Sequence, residues 1–203
     1  MGGTSTDVAL IIGNQPSVSS DLEVEYGMPV HVPMVDVRTV GAGGGSIASV
    51  NQGGLLEVGP SSAGANPGPI CYGKGGDYPT ISDANFLLGR FINKTINVID
   101  DKKIKKKINK IFETKLSKQL NETVLNSAEA IIKIANNKMA NAIRMVSISL
   151  GEDPREFSLF AFGGAGPMHA SALAKELDIP KVFIPARPGL TNALGCLVAD
   201  LRQ

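Results

Sequence analysis

Apolar residues follow three different rhythms along the chain. Through residues 1–76 they come in short runs broken by glycine-rich turns. Val8-Ala9-Leu10-Ile11-Ile12 is a continuous apolar run of strand length. Gly13 to Tyr26 is polar and predicts a loop. Val30, Val32, Val35, Val37 and Thr39 suggest a period of two, interrupted at Pro33, which predicts extended chain at an edge or a bend. Ile47 to Val50 and Leu55 to Val58 flank the turn Asn51-Gln52-Gly53-Gly54, which predicts a hairpin. Gly59 to Gly76 is rich in glycine, proline, serine and alanine; a loop of that length inside a domain is usually functional or mobile.

Residues 77–152 carry a helical rhythm, and no proline interrupts the chain between Pro79 and Pro154. Ser82 or Asp83 suits the cap of a helix whose apolar face is Phe86, Leu87 and Leu88, with Gly89 as its stop. From Asp101 to about Leu120, Ile104, Ile108, Ile111, Phe112, Leu116 and Leu120 make one helical stripe. From Glu122 to Leu150 the stripe is wider, so this helix should be buried along much of its length. Gly151 and Asp153-Pro154 end it. The methionines there read as core fillers.

Residues 153–203 alternate strand and helix. Phe157 to Phe162 reads as a buried strand, Met168 to about Leu177 as a helix, and Lys181 to Ile184 as a second strand. A β-α-β unit implies parallel strands. Thr191 to Leu201 predicts a final helix. The chain is therefore read as mixed α/β in three regions, β-rich, helical and β-α-β.

Composition changes this picture in two places. Of 23 glycines, 16 lie in the first 76 residues, which explains the dense turns there. The net charge of +1 conceals eight lysines against three acids between Asp100 and Lys118. Such a run suits nucleic acid or an anionic surface. Here the lysines fall between the apolar positions with no interleaved aromatics, so the expectation is a solvated helix face and no nucleic-acid partner. No run reaches the 18 or more apolar residues of a membrane span, and no secretory signal is read, so the expected place is the cytoplasm. Cys71 and Cys196 lack ligand-like spacing and read as free thiols.

The candidate chemistry lies in two glycine-rich turns. Met1-Gly2-Gly3-Thr4-Ser5-Thr6-Asp7 precedes the first strand and offers backbone N–H groups, hydroxyls and one carboxylate. Gly163-Gly164-Ala165-Gly166-Pro167 joins a strand to a helix, where a ligand can approach the backbone closely. Neither has the spacing of a dinucleotide fingerprint or the Lys-Ser/Thr end of a P-loop. A split nucleotide site remains, with phosphates at one turn and nucleoside at the other.

Four blocks carry a resemblance. They are Met1 to Val8, Asp36 to Ala48, Ser62 to Pro69 and Phe162 to Ala170. Together, and in this order, they resemble the hydantoinase A/5-oxoprolinase family. The resemblance implies an actin-like, ribonuclease-H-like ATPase half-domain with a mixed sheet and long inserted helices. It implies ATP and magnesium as cofactors, and ATP-dependent opening of a cyclic amide or imide such as 5-oxoproline or a hydantoin. Acetone carboxylase subunits are also similar, and a sugar- or acetate-type kinase shares the superfold. A non-catalytic fragment docking on a partner subunit is the reading from another class. The implied partners are a hydantoinase B-type subunit or further copies of the chain.

By the same resemblance, Gly2, Gly3, Thr4, Ser5 and Thr6 are expected at the phosphates and Asp7 at the metal or the attacking nucleophile. Gly163, Gly164, Ala165 and Gly166 are expected on the adenosine side. His169 is expected near the nucleotide or substrate, or else in a structural hydrogen bond. His31 reads as structural. Asp36 and Arg38 either reach the cleft or pair with one another, and Gly41 to Ser46 reads as close packing beside the site. The family's first phosphate loop has no counterpart in these 203 residues, so the chain is expected to be part of one half of the enzyme.

Overall fold

The computed structural model describes residues 1–19, 22–24, 28–30, 34–90 and 101–199. The chain opens with β1 (Thr6–Ala9), β2 (Ile11–Ile12), β3 (Gln15–Pro16), β4 (Val18–Ser19), β5 (Leu22–Val24), β6 (Met28–Val30), β7 (Met34–Val35) and β8 (Val37–Val40). β8 returns antiparallel to β1, with Asp7 opposite Thr39. Between them β4 pairs antiparallel with β7 and β5 with β6. In the loop expected over Gly13 to Tyr26, the described residues are therefore largely strand. Local polarity hid it because Val18 finds its partner, Val35, far along the chain. The hairpin of β2 and β3 turns through Gly13 and Asn14, at φ +56° and +63°. Positive φ at both central positions is what a tight hairpin turn requires.

β9 (Ser46–Val50) and β10 (Leu56–Ser62) form the expected hairpin, with an irregularity between Val58 and Ser62. The stretch up to Gly76 is tied down at one carboxylate. Asp83, fully buried, accepts the N–H groups of Cys71 at 2.7 Å, Thr80 at 3.1 Å and Ile70 at 3.3 Å, and the Thr80 hydroxyl at 2.7 Å. Burial raises its pKa while these donors pull it back down.

The same carboxylate starts α1 (Ile81–Leu87). Thr80, not Ser82 or Asp83, is the cap; Asp83 stands three residues on and completes a reciprocal capping box. α2 (Asp101–Phe112) presents Ile108 and Phe112 inward, while Lys102, Lys105, Lys106, Lys107 and Lys110 lie on the exposed side. Lys107 pairs with Asp77 at 2.9 Å, and the Lys115 ammonium sits 3.8 Å from the centre of the Tyr78 ring. A π-helical turn, Glu113–Ser117, follows and leads into α3 (Lys118–Leu120). It turns Leu116 and Ser117 inward, and the Ser117 hydroxyl meets that of Ser127 at 2.9 Å.

α4 (Val124–Ser147) is the axis of the core. Thr123 caps it by accepting the Asn126 N–H at 3.1 Å, a contact worth about 1 kcal/mol. Ala128, Ile131, Ile132, Ala135, Met139, Ile143 and Val146 are buried along it, each large side chain contributing about 1.5–3 kcal/mol. Met145, on the opposite face, is exposed, so the core-filler reading holds for Met139 alone. Glycine ends this region as expected, with Gly151 at φ +79°.

β11 (Ser158–Phe160), α5 (Gly166–Glu176) and β12 (Lys181–Phe183) form the expected unit, with Leu159 beside Val182 in a parallel pair, but β11 is not the buried strand expected: Ser158 and Phe160 are exposed. α6 (Thr191–Val198) closes the described chain. The architecture is mixed α/β. The resemblance implies a mixed sheet; among the described residues the strands form two-stranded pairs, of which only β11 and β12 are parallel. Both cysteines are free, Cys71 buried and Cys196 exposed. No described helix is long and apolar enough to cross a membrane. His31 and Pro33 lie outside the described residues.

Candidate functional site

The site is built from backbone first. Gly2 donates its N–H to the Ser5 carbonyl at 2.9 Å, closing a tight turn ahead of β1. The Thr6 side chain points inward and its hydroxyl donates to the Ala42 carbonyl at 2.5 Å. A second glycine run then lies against this turn. Gly44 N–H donates to the Gly2 carbonyl at 2.9 Å and Gly45 N–H to the Gly3 carbonyl at 2.6 Å. A β-carbon on Gly43 would overlap the backbone of Gly3 and Thr4. The Gly44 carbonyl accepts the Ser82 N–H at 2.8 Å, which anchors the pair of turns to the start of α1. Gly41 to Ser46 is thus a packing element, and the close approach explains its glycines.

The late turn joins the same place through Met1. The Met1 amine donates to the Phe162 carbonyl at 3.1 Å, and the Met1 carbonyl accepts the Ala165 N–H at 3.2 Å. Gly163 holds φ +82°, and a β-carbon there would run into the Met1 backbone. The first and last glycine turns, over 160 positions apart in sequence, are therefore neighbours. Gly2, Gly3, Thr4 and Gly164 are exposed, whereas Thr6, Ala165 and Gly43 to Gly45 are buried. Ser5 and Gly166 are half-buried. A β-carbon on Gly164 would meet open space.

Asp7 is exposed and accepts the Thr39 hydroxyl at 2.6 Å, directly across the β1–β8 ladder. Among the described residues no group of three or more histidine, cysteine or acidic side chains gathers as a metal cluster. Asp36 and Arg38 pair with one another at 3.5 Å, one of the two arrangements open from sequence.

His169 stands in the first turns of α5 with its ring fully buried. Its Nε2 lies 3.3 Å from the Asn85 amide nitrogen and its Nδ1 lies 2.7 Å from the Asn136 side-chain oxygen. An amide nitrogen only donates, so Nε2 accepts, and Nδ1 carries the proton that it gives to Asn136. Arg90 donates to the Asn85 oxygen at 3.2 Å and fixes that amide. Burial, aided by the Arg90 charge, pushes the His169 pKa down to about 4, so the ring is neutral near pH 7. Both nitrogens are engaged, and the ring backs the late turn from inside the protein. The structural hydrogen bond read from sequence is thus present on both ring nitrogens. Asn85, Asn136, Arg90 and Thr39 were not singled out from sequence. They come from separate elements, and nothing in their spacing links them.

The whole chain, residues 1–203, matches the hydantoinase/oxoprolinase family. The chain belongs to that family. It is 41% identical to caprolactamase subunit alpha of Pseudomonas jessenii, covering 100% of this chain and 29% of that one. The crystal structure of the ATP-dependent caprolactamase from that organism superposes with a TM-score of 0.85 at 40% identity, over 100% of this chain and 29% of that one. A 5-oxoprolinase of Dictyostelium discoideum is 37% identical over 99% of this chain and 17% of its own. The nucleotide-free structure of an acetone carboxylase, described as an enzyme of ATP-dependent acetone carboxylation, gives a TM-score of 0.87 at 28% identity, over 99% of this chain and 28% of that one. The chain spans less than a third of the length of these relatives.

Proposed function

We infer that this chain forms part of the nucleotide site of an ATP-dependent cyclic amide hydrolase of the 5-oxoprolinase or caprolactamase kind. One observation carries the reading: the backbone of Met1 bonds directly to the late turn at Phe162 and Ala165 while leading into Gly2 and Gly3. A ligand held by one turn is within reach of the other. In this reading Gly2, Gly3, Thr4 and Ser5 hold phosphates, with Thr6 bracing their turn from beneath. Gly163, Gly164, Ala165 and Gly166 form the adenosine-side turn, and His169 keeps its helix in place as a positioning residue.

The residues fit the cofactor. The first turn is exposed at Gly2, Gly3 and Thr4, and no side chain fills the space over Gly164. Magnesium is commonly held by one or two carboxylates together with substrate phosphates, so a single exposed Asp7 suits it. Bound ATP would supply a phosphoryl group that makes an amide oxygen easier to displace. Asp7, oriented by Thr39, would hold the metal or a water. The family's actin-like half-domain accounts for the split site, and the subunit name of the caprolactamase relative supports assembly with a second type of chain.

Calorimetry with magnesium-ATP on this chain should give saturable heat. In the complete enzyme, Asp7→Ala should abolish turnover on a cyclic amide while leaving the melting temperature within a few degrees. Normal turnover in that variant would remove Asp7 from the site. The acetone carboxylase likeness keeps a carboxylase reading open, and mass spectrometry separates a ring-opened product from a carboxylated or phosphorylated one.

A further inference from the structure

The short helix α1 reaches toward both glycine turns. Of its seven residues, all but Phe86 are buried, and three of the buried ones are polar: Ser82, Asp83 and Asn85. A buried polar group is costly unless it is paired. The partners of these three therefore show what α1 holds.

Toward the first turn the link is two hydrogen bonds long. The Ser82 N–H donates to the Gly44 carbonyl at 2.8 Å, and the Gly44 N–H donates to the Gly2 carbonyl at 2.9 Å. Toward the late turn the link is one side chain. The Asn85 amide nitrogen lies 3.3 Å from Nε2 of His169, three residues beyond Gly166, where the late turn becomes α5. Ser82 and Asn85 are three positions apart and so share a side of the helix. The space between the two links is tight. A β-carbon on Gly44 would come within 2.8 Å of the Ser82 hydroxyl oxygen and 3.9 Å of the Ala165 β-carbon. Asp83 in turn fixes α1, by accepting the N–H groups of Ile70 and Cys71.

The other tie between the turns is the bond from the Ala165 N–H to the Met1 carbonyl. One tie leaves two turns able to pivot about it. A second tie, through α1, fixes both their separation and their tilt. Building on the nucleotide reading above, we propose that Asn85 is a positioning residue for the nucleotide: it sets the spacing between the phosphate turn and the adenosine turn, so that one ATP molecule engages both at once. A ligand that spans two half-sites gains affinity over either half alone, and loses that gain when the spacing no longer matches. Asn85 is fully buried and acts through His169. Its own amide is oriented by the exposed Arg90, which donates to the Asn85 oxygen at 3.2 Å.

A purely structural role predicts otherwise. Among the described residues no buried side-chain nitrogen or oxygen lacks a partner, so Asn85→Ala leaves the Nε2 acceptor unpaired and lowers stability. Stability alone does not separate the two roles. The length of the ligand does, because adenosine and tripolyphosphate each occupy one turn and only ATP spans both.

The complete enzyme is titrated with magnesium-ATP, adenosine and tripolyphosphate, well below its melting temperature. Asn85→Ala should weaken ATP binding about tenfold and leave each half-ligand within about twofold of wild type. Arg90→Ala, a surface change that keeps the core filled, should show the same pattern at about threefold for ATP. Ile132→Val, which removes one buried methyl group from α4, should leave all three affinities as in wild type. Equal losses for the three ligands in Asn85→Ala would make the residue structural only and overturn the proposal. Unchanged ATP affinity in both Asn85→Ala and Arg90→Ala would overturn it as well. A wild-type enzyme that binds none of the three would overturn the nucleotide reading and this assignment together, so the wild-type titration tells the two failures apart.

Discussion

Two glycine runs that look alike in sequence differ in the fold at one position, Gly164. Gly43, Gly44 and Gly45 are buried, and an added β-carbon at any of them would crowd Gly3, Thr4, Ser82 or Ser62. Two of their N–H groups are given to the first turn. Gly164, in the late turn, is exposed and faces empty space. The first run lacks side chains because backbone must touch backbone, and Gly163 of the late turn does so for the same reason, against Met1; Gly164 alone lacks one where the space is open. A count of glycines cannot separate these cases, but the position of the missing β-carbon can.

The sharpest way to break that distinction is Gly43→Ala. Overlap with fixed backbone should cost about 3 kcal/mol. For a chain of this size that is a fall of about 5–10 °C in melting temperature. A wild-type melting curve would show that the run is not packed as described.

Next comes the support behind the late turn. His169 is held neutral in the fold, with a pKa of about 4, whereas the unfolded side chain takes up a proton near pH 6.5. Between these values the unfolded state binds more protons, so the stabilising contribution is full above pH 6.5 and is lost as pH falls toward 4. From pH 7 to pH 5 the loss should be about 2 kcal/mol, and His169→Gln should flatten that slope in denaturant titrations. An unchanged slope would mean another group governs acid sensitivity.

The smallest expected effect on stability is the most informative for the ligand. Gly164→Ala should shift stability by less than about 0.5 kcal/mol. If the late turn touches nucleotide, the same change should weaken ATP binding about tenfold in calorimetry. A variant with unaltered ATP affinity would place the nucleotide elsewhere.

Much of the fold was legible along the chain because it is written in local periods. The stripe of α4, the hairpin around Asn51 to Gly54, and the strand-helix-strand order from Phe157 to Ile184 all follow from spacing alone. The ladders between β1 and β8 were not legible, since they join residues far apart, such as Val18 with Val35. Gly13-Asn14 was the one local hint, and it sat in a stretch read as polar loop. At the site, the two glycine turns were legible as candidates, and their adjacency is a product of the fold. Asp83 was read as a helix cap. Its larger task, collecting the N–H groups of Ile70 and Cys71, depends on a loop that reaches it from another part of the chain.

The π-helical turn Glu113–Ser117 acts as a phase adjuster between two stretches of one helix. Each residue advances a helix by about 100°, so removing one residue here would swing the upstream segment by more than a quarter of a circle relative to α4. Ile108 and Phe112 would rotate toward solvent and lysines would be carried toward the interior. The length of that single turn, more than the composition of the lysine-rich segment, decides which side of it stays wet.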